Sequence, residues 1–153
     1  MSQKNTNICS ITGLIDRATF IEQSKQLLEF SNRTKAKASL LFFSIKPQDR
    51  HLEQQLLDLV LTNIGSRLLS IARKSDIYAY LGDMSFANLS IATSEHHEHA
   101  LALVEKLKHE FSQPLQINDG ATIPVSIQIG VAQFPEDGTH YEALISKAKA
   151  TTL

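Results

Sequence analysis

Residues 73–92 read RKSDIYAYLGDMSFANLSIA, and this stretch decides the fold. Two short runs, 76–81 and 85–92, flank Gly82-Asp83. A glycine at the first turn position permits the backbone that a tight hairpin needs, so the stretch reads as two antiparallel strands. Upstream, Leu52, Leu56, Val60, Ile64, Leu68 and Ile71 recur every three or four residues, the period of a long helix from Leu52 to about Arg73 that delivers the chain to Asp76.

Working outward, Ser39–Ile45 (SLLFFSI) is an almost unbroken apolar run closed by Pro47 and predicts a buried central strand. Asp16 is placed to cap a helix through about Phe30, and Ser31–Ala38 reads as a polar, basic loop. Downstream, a helix is expected from about Glu95 to Phe111. A second hairpin follows, Pro114–Asn118 and Ile123–Phe134 joined by Asp119-Gly120, then a short helix from near Thr139 that the end of the sequence at Leu153 interrupts. The order α-β-α-β-β-α-β-β-α predicts an α/β or α+β sandwich in which helices cover a mixed, mostly antiparallel sheet.

The chain of 153 residues, 42% of them hydrophobic, is the size of one domain. We expect residues 1–8 to form a polar tail and residues 9–153 a single domain. Fifteen Lys and Arg against 16 Asp and Glu leave a net charge of −1, which argues against a nucleic acid polymer as partner. Phe42 and Phe43 sit among apolar neighbours and read as core rather than as an RNA-stacking platform. Cys9 is the single cysteine, which fits a reducing compartment, and a cytoplasmic location is expected. No apolar run reaches the roughly 20 residues that span a bilayer, so no direct membrane insertion is expected. His96 and His99, in Glu95-His96-His97-Glu98-His99, lie one helical turn apart, but the segment reads as an exposed first helical turn rather than a metal site.

Four stretches in order carry a family resemblance. Residues 11–20, ITGLIDRATF, are similar to an LTGLxNRxxF motif, with Asp16 at the Asn. Arg73-Lys74-Ser75-Asp76 matches RxxD. After five intervening residues, Gly82-Asp83-Met84-Ser85-Phe86 stands where a GGDEF signature falls, and residues 125–138, VSIQIGVAQFPEDG, resemble a late strand and turn, vSIGvAxyPxDG. By these motifs the chain resembles the GGDEF family of diguanylate cyclase domains across nearly its whole length. The resemblance implies a nucleotidyl-cyclase-like, palm-like fold with a central sheet of about five strands and an additional small hairpin.

The resemblance also implies that the cyclase site is altered. Such cyclases join two GTP molecules held by two facing domains, and divalent metal held by carboxylates offsets the phosphate charge. Here Ser44 and Lys46 fall where the family's strand carries Asp, and Met84 and Ser85 fall at the acids of the signature, with Gly82, Asp83 and Phe86 retained as its frame. Leu52 replaces an Asn that contacts guanine, and Asp58 matches a later base-contacting Asp across a deletion of about three residues. A catalytically inactive member without metal or cofactor is therefore expected. The alternative is a site rebuilt from Asp49, Glu53 or Asp83 that retains magnesium and some cyclase activity. Arg73 and Asp76 match the family's inhibitory site, where Arg and Asp bind cyclic-di-GMP; in a protein without ligand the same two residues would be an ordinary helix-terminal pair. The implied role is regulatory: a module of a longer bacterial signalling chain, beside an EAL phosphodiesterase or a sensor domain, acting as a cyclic-di-GMP receptor, as a nucleotide-responsive activator, or as a ligand-free surface for homodimer or other protein contacts.

Overall fold

The computed structural model describes residues 7–49, 51–92, 97–118 and 120–152. The hairpin is β2 (Asp76–Gly82) and β3 (Ser85–Ala92). Strand β1 (Lys37–Pro47) lies between β3 and β6 (Val125–Phe134), antiparallel to both, so the sheet order is β2-β3-β1-β6. That is four strands where about five were expected. The fifth place, beside β2, is reduced to a single parallel bridge from Ile15 to Ala79, reinforced by Tyr80 N–H donating to Ile15 C=O at 3.1 Å. A separate two-stranded sheet, β4 (Leu115–Asn118) with β5 (Ala121–Ile123), is the additional small hairpin.

Four helices complete the fold: α1 (Arg17–Thr34), α2 (Gln54–Ile71), α3 (His97–Glu110) and α4 (Tyr141–Ala150). Asp16 caps α1 as expected, its carboxylate accepting from Thr19 N–H at 2.9 Å. The helix runs four residues beyond Phe30 and stops where Lys35 turns left-handed at φ 62°, so the predicted loop from Ser31 shrinks. The expected helix from Glu95 begins in the described chain at His97.

Side-chain alternation along β1 builds two cores. Leu41, Phe43 and Ile45 pack with Val60, Ile64 and Leu68 of α2 and with Leu107 of α3, while Leu40 and Ala38 pack with Phe20 and Leu28 of α1 and Leu144 of α4. Phe43 stacks on Phe86 at 5.7 Å between centroids, which places both in the core.

Four boundaries differ from the sequence reading. The run 123–134 is not one strand, because Pro124 has no N–H for a ladder; β5 ends before it and β6 begins after it in the other sheet. Asn7 and Ile8, assigned to the tail, are tied into the domain: Asn7 C=O accepts from Asp16 N–H at 2.9 Å, and Ile8 bridges Ile15. The last helix ends before Leu153. It closes at Ala150, where the Thr151 N–H returns to the carbonyl of Lys147 and its hydroxyl meets Val131 of β6. Finally, the turn of the β2–β3 hairpin is not centred on Gly82-Asp83. Gly82 pairs with Ser85, and the central residues are Asp83 and Met84 at φ 54° and 60°.

Candidate functional site

The β1–β3 register brings together two of the positions singled out in the sequence, Ser44 and Ser85. Ser44 is the direct cross-strand partner of Ser85, and on its other side it pairs with Gln128 of β6. Lys46, two residues on and therefore on the same face, pairs with Ser126. Ser44 and Ser85 are half-buried, and Lys46 is exposed. Because the turn residues are Asp83 and Met84, it is Ser85 that stands opposite Ser44. Met84 C=O accepts from Ile45 N–H at 3.1 Å, Met84 N–H donates to the Tyr80 hydroxyl at 3.3 Å, and the Met84 side chain packs on the α2/α3 core. Leu52 packs on the same core. The open face thus presents hydroxyls, an amide and an ammonium group.

The other candidate carboxylates are hydrogen-bonded locally or exposed. Asp49 accepts from His51 N–H at 2.9 Å, Asp58 accepts from the Gln54 side chain at 2.9 Å, and Asp83 and Glu53 are exposed. Among the described residues, no three His, Cys, Asp or Glu side chains gather where they could hold a metal ion. The predicted histidine cluster falls partly on residues 93–96, which lie outside the described residues.

The second candidate lies at the other end of β2. Arg73 and Asp76 form a closed turn: Asp76 N–H donates to Arg73 C=O at 3.0 Å, and Arg73 N–H donates to Asp76 Oδ2, also at 3.0 Å. The second carboxylate oxygen, Oδ1, accepts from the Ser90 hydroxyl on β3. Arg73 is exposed, and Asp76 is half-buried. Both line a cleft of about 100 Å³ closed by Ile71 of α2 and by Ala102, Leu103 and Lys106 of α3. The cleft holds two cations and one carboxylate with directed lone pairs, a combination suited to a planar donor–acceptor edge next to a phosphate. Tyr78, two residues along β2 from Asp76, is buried, which pushes its phenol well above the ordinary value; the nearby Asp76 charge adds to this and Arg73 opposes it.

Sequence reasoning missed Lys106, Ser90 and Asn88. Lys106 is one of several helix lysines, and only the packing of α3 brings it to Arg73. Asn88 and Ser90 carried a signal: with Phe86 they occupy every second position of SFANLSIA, so two polar residues fall on a core-facing side.

The family profile described as "Diguanylate cyclase, GGDEF domain" matches residues 6–152. The chain belongs to the GGDEF domain family. This GGDEF domain is 30% identical over 142 residues to diguanylate cyclase TpbB of Pseudomonas aeruginosa, covering 91% of this chain and 32% of the relative. The structure of an N-terminally shortened TpbB comprising only the GGDEF domain aligns at TM-score 0.85 and 29% identity, over 95% of this chain and 86% of that one. The domain is also 29% identical over 143 residues to the cyclic di-GMP phosphodiesterase NbdA of the same organism, covering 91% of this chain and 18% of NbdA. The GGDEF domain of DgcB from Caulobacter crescentus, solved in complex with c-di-GMP, shares the fold at TM-score 0.79 and 17% identity, over 98% of this chain and 87% of that one. The chain spans about a third of TpbB and under a fifth of NbdA. Among the described residues no helix is long and apolar enough to cross a membrane.

Proposed function

We propose that this GGDEF domain is a non-catalytic regulatory module of cyclic-di-GMP signalling that binds the dinucleotide at Arg73 and Asp76 and modulates a linked EAL phosphodiesterase domain. The observation that carries the reading is the Ser44–Ser85 pair. Two facing hydroxyls, with the Lys46 ammonium on the same face, replace the paired carboxylates that metal-assisted phosphoryl transfer requires. Magnesium does not fit this donor set: neutral hydroxyls bind the hard cation weakly, and a neighbouring positive charge opposes it. No step of catalysis is therefore assigned to the domain.

The RxxD end supports the binding half. The guanidinium of Arg73 offers parallel donors to a guanine edge or a phosphate, Asp76 accepts from guanine N–H groups, and Lys106 adds a point charge for phosphate. The proposed ligand, cyclic-di-GMP, presents both chemistries. Calorimetric titration of the domain with cyclic-di-GMP, beside Arg73→Ala and Asp76→Ala, tests this. Each variant is expected to weaken binding at least about tenfold, since hydrogen bonds to charged groups contribute about 1.5–3 kcal/mol. Equal binding by all three proteins overturns the site. Product formation from GTP with magnesium or manganese overturns the non-catalytic reading.

A further inference from the structure

Beneath α3 the hairpin buries a polar network that neither core explains. Asn88 is 0% exposed and Ser90 1%, both on the β3 face that otherwise presents Phe86 to the apolar α2/α3 core. Burying an amide among apolar side chains is costly unless it is hydrogen-bonded. Ser90 has one hydroxyl proton and two acceptors in reach, Asp76 Oδ1 and, at 3.1 Å, Asn88 Oδ1, while Asn88 Nδ2 has no partner among the described residues. One proton cannot serve both acceptors. Amide oxygen and nitrogen exchange places by a half-turn of the side chain, and the orientation that agrees with the chemistry has Asn88 Nδ2 donating to Ser90 Oγ and Ser90 donating to Asp76.

The chain of donors then runs one way, Asn88 to Ser90 to Asp76. With Arg73 N–H on Oδ2, both carboxylate oxygens are held from the protein side. Each oxygen keeps a lone pair beyond these bonds, and Asp76 lines the same cleft as Arg73 and Lys106. We infer that Ser90 and Asn88 are positioning residues of the RxxD cleft, locking the Asp76 carboxylate in one rotamer so that it meets a guanine-type N–H edge without further ordering cost. The inference deepens the reading of Arg73 and Asp76 as a cyclic-di-GMP site and rests on it for the identity of the ligand. The network itself does not depend on that reading.

The test uses Ser90→Ala, Ser90→Thr and Asn88→Leu with two readouts. The first is the set of Hα–Hβ couplings of Asp76 in the free domain, which report whether its side chain holds one rotamer. The second is cyclic-di-GMP affinity. Ser90→Ala, folded by circular dichroism, is expected to average the couplings and weaken binding about tenfold, and Ser90→Thr, which keeps the hydroxyl, restores both. Asn88→Leu is expected to keep or raise the melting temperature while weakening binding severalfold, because it removes a buried amide but leaves the Ser90 hydroxyl without its donor. Single-rotamer couplings in Ser90→Ala overturn the positioning role, and unchanged affinity in Asn88→Leu overturns the part given to Asn88. Averaged couplings in Ser90→Ala, in a domain that does not bind cyclic-di-GMP even as wild type, uphold the hold on Asp76 and overturn the ligand reading instead.

Discussion

Tyr78 shows how one atom's surroundings set a measurable property. Its hydroxyl is buried and unpartnered among the described residues, so Tyr78→Phe removes a desolvated polar group and leaves the ring packing intact. Stability at neutral pH, from urea denaturation, is expected to hold or rise by up to about 1 kcal/mol. The same burial raises the phenol's pKa above its unfolded value of about 10. The folded state therefore binds the proton more tightly. The associated stability is complete below pH 10 and is lost as pH rises toward the folded value, so Tyr78→Phe should flatten the alkaline decline. Tyr141, whose phenol burial also raises, keeps part of the slope. Met84 is the opposite kind of residue. Asp tolerates the left-handed region, but Met at φ 60° does so at a cost, and the core packing of its side chain together with two backbone hydrogen bonds holds it there.

Pairing between elements converts separate sequence positions into a site. Ser44 and Ser85 are 41 residues apart in sequence and become neighbours only because β1 pairs with β3 in one register. If that pair is the altered ligand position, the double variant Ser44→Asp, Ser85→Glu should bind Mn²⁺ at least about tenfold more tightly than wild type, measured by calorimetry, with each single variant well short of it. A double variant no better than wild type would count against that register as the ligand position. Helix α4 packs on β6 with no space at Gly130, where a Cβ would stand 1.8 Å from the Ala148 carbonyl oxygen. Gly130→Ala must therefore displace the helix and should cost at least about 2 kcal/mol in denaturant unfolding.

Across the whole molecule, β1 belongs to both cores, since Leu40 and Leu41 face opposite helix layers and both are fully buried. Neither layer can be lost while the other persists. Leu40→Ala and Leu41→Ala should each cost about 2–5 kcal/mol and leave one cooperative transition, with far-ultraviolet circular dichroism and tyrosine fluorescence giving the same midpoint. Two separated midpoints would show the layers to be independent. The same arrangement sets the two candidate sites apart: the Ser44–Ser85 pair and the RxxD turn lie toward opposite ends of the hairpin, joined by β2 and β3.

Local chemistry was legible in the sequence alone. The helices followed from apolar period, the central strand from an unbroken apolar run, the α1 cap from Asp16, and the family from four ordered motifs. These depend on neighbours in the chain, so the chain states them. What depends on through-space partners was decided by the fold. Pairing placed the turn on Asp83-Met84 and so set Ser85 against Ser44, and it set Ser90 of β3 against Asp76 of β2; Pro124 divided one apparent strand between two sheets, and the packing of α3 brought Lys106 beside Arg73. A one-residue shift in register reverses every side chain on a strand, and hydropathy alone cannot exclude such a shift at a turn flanked by short strands.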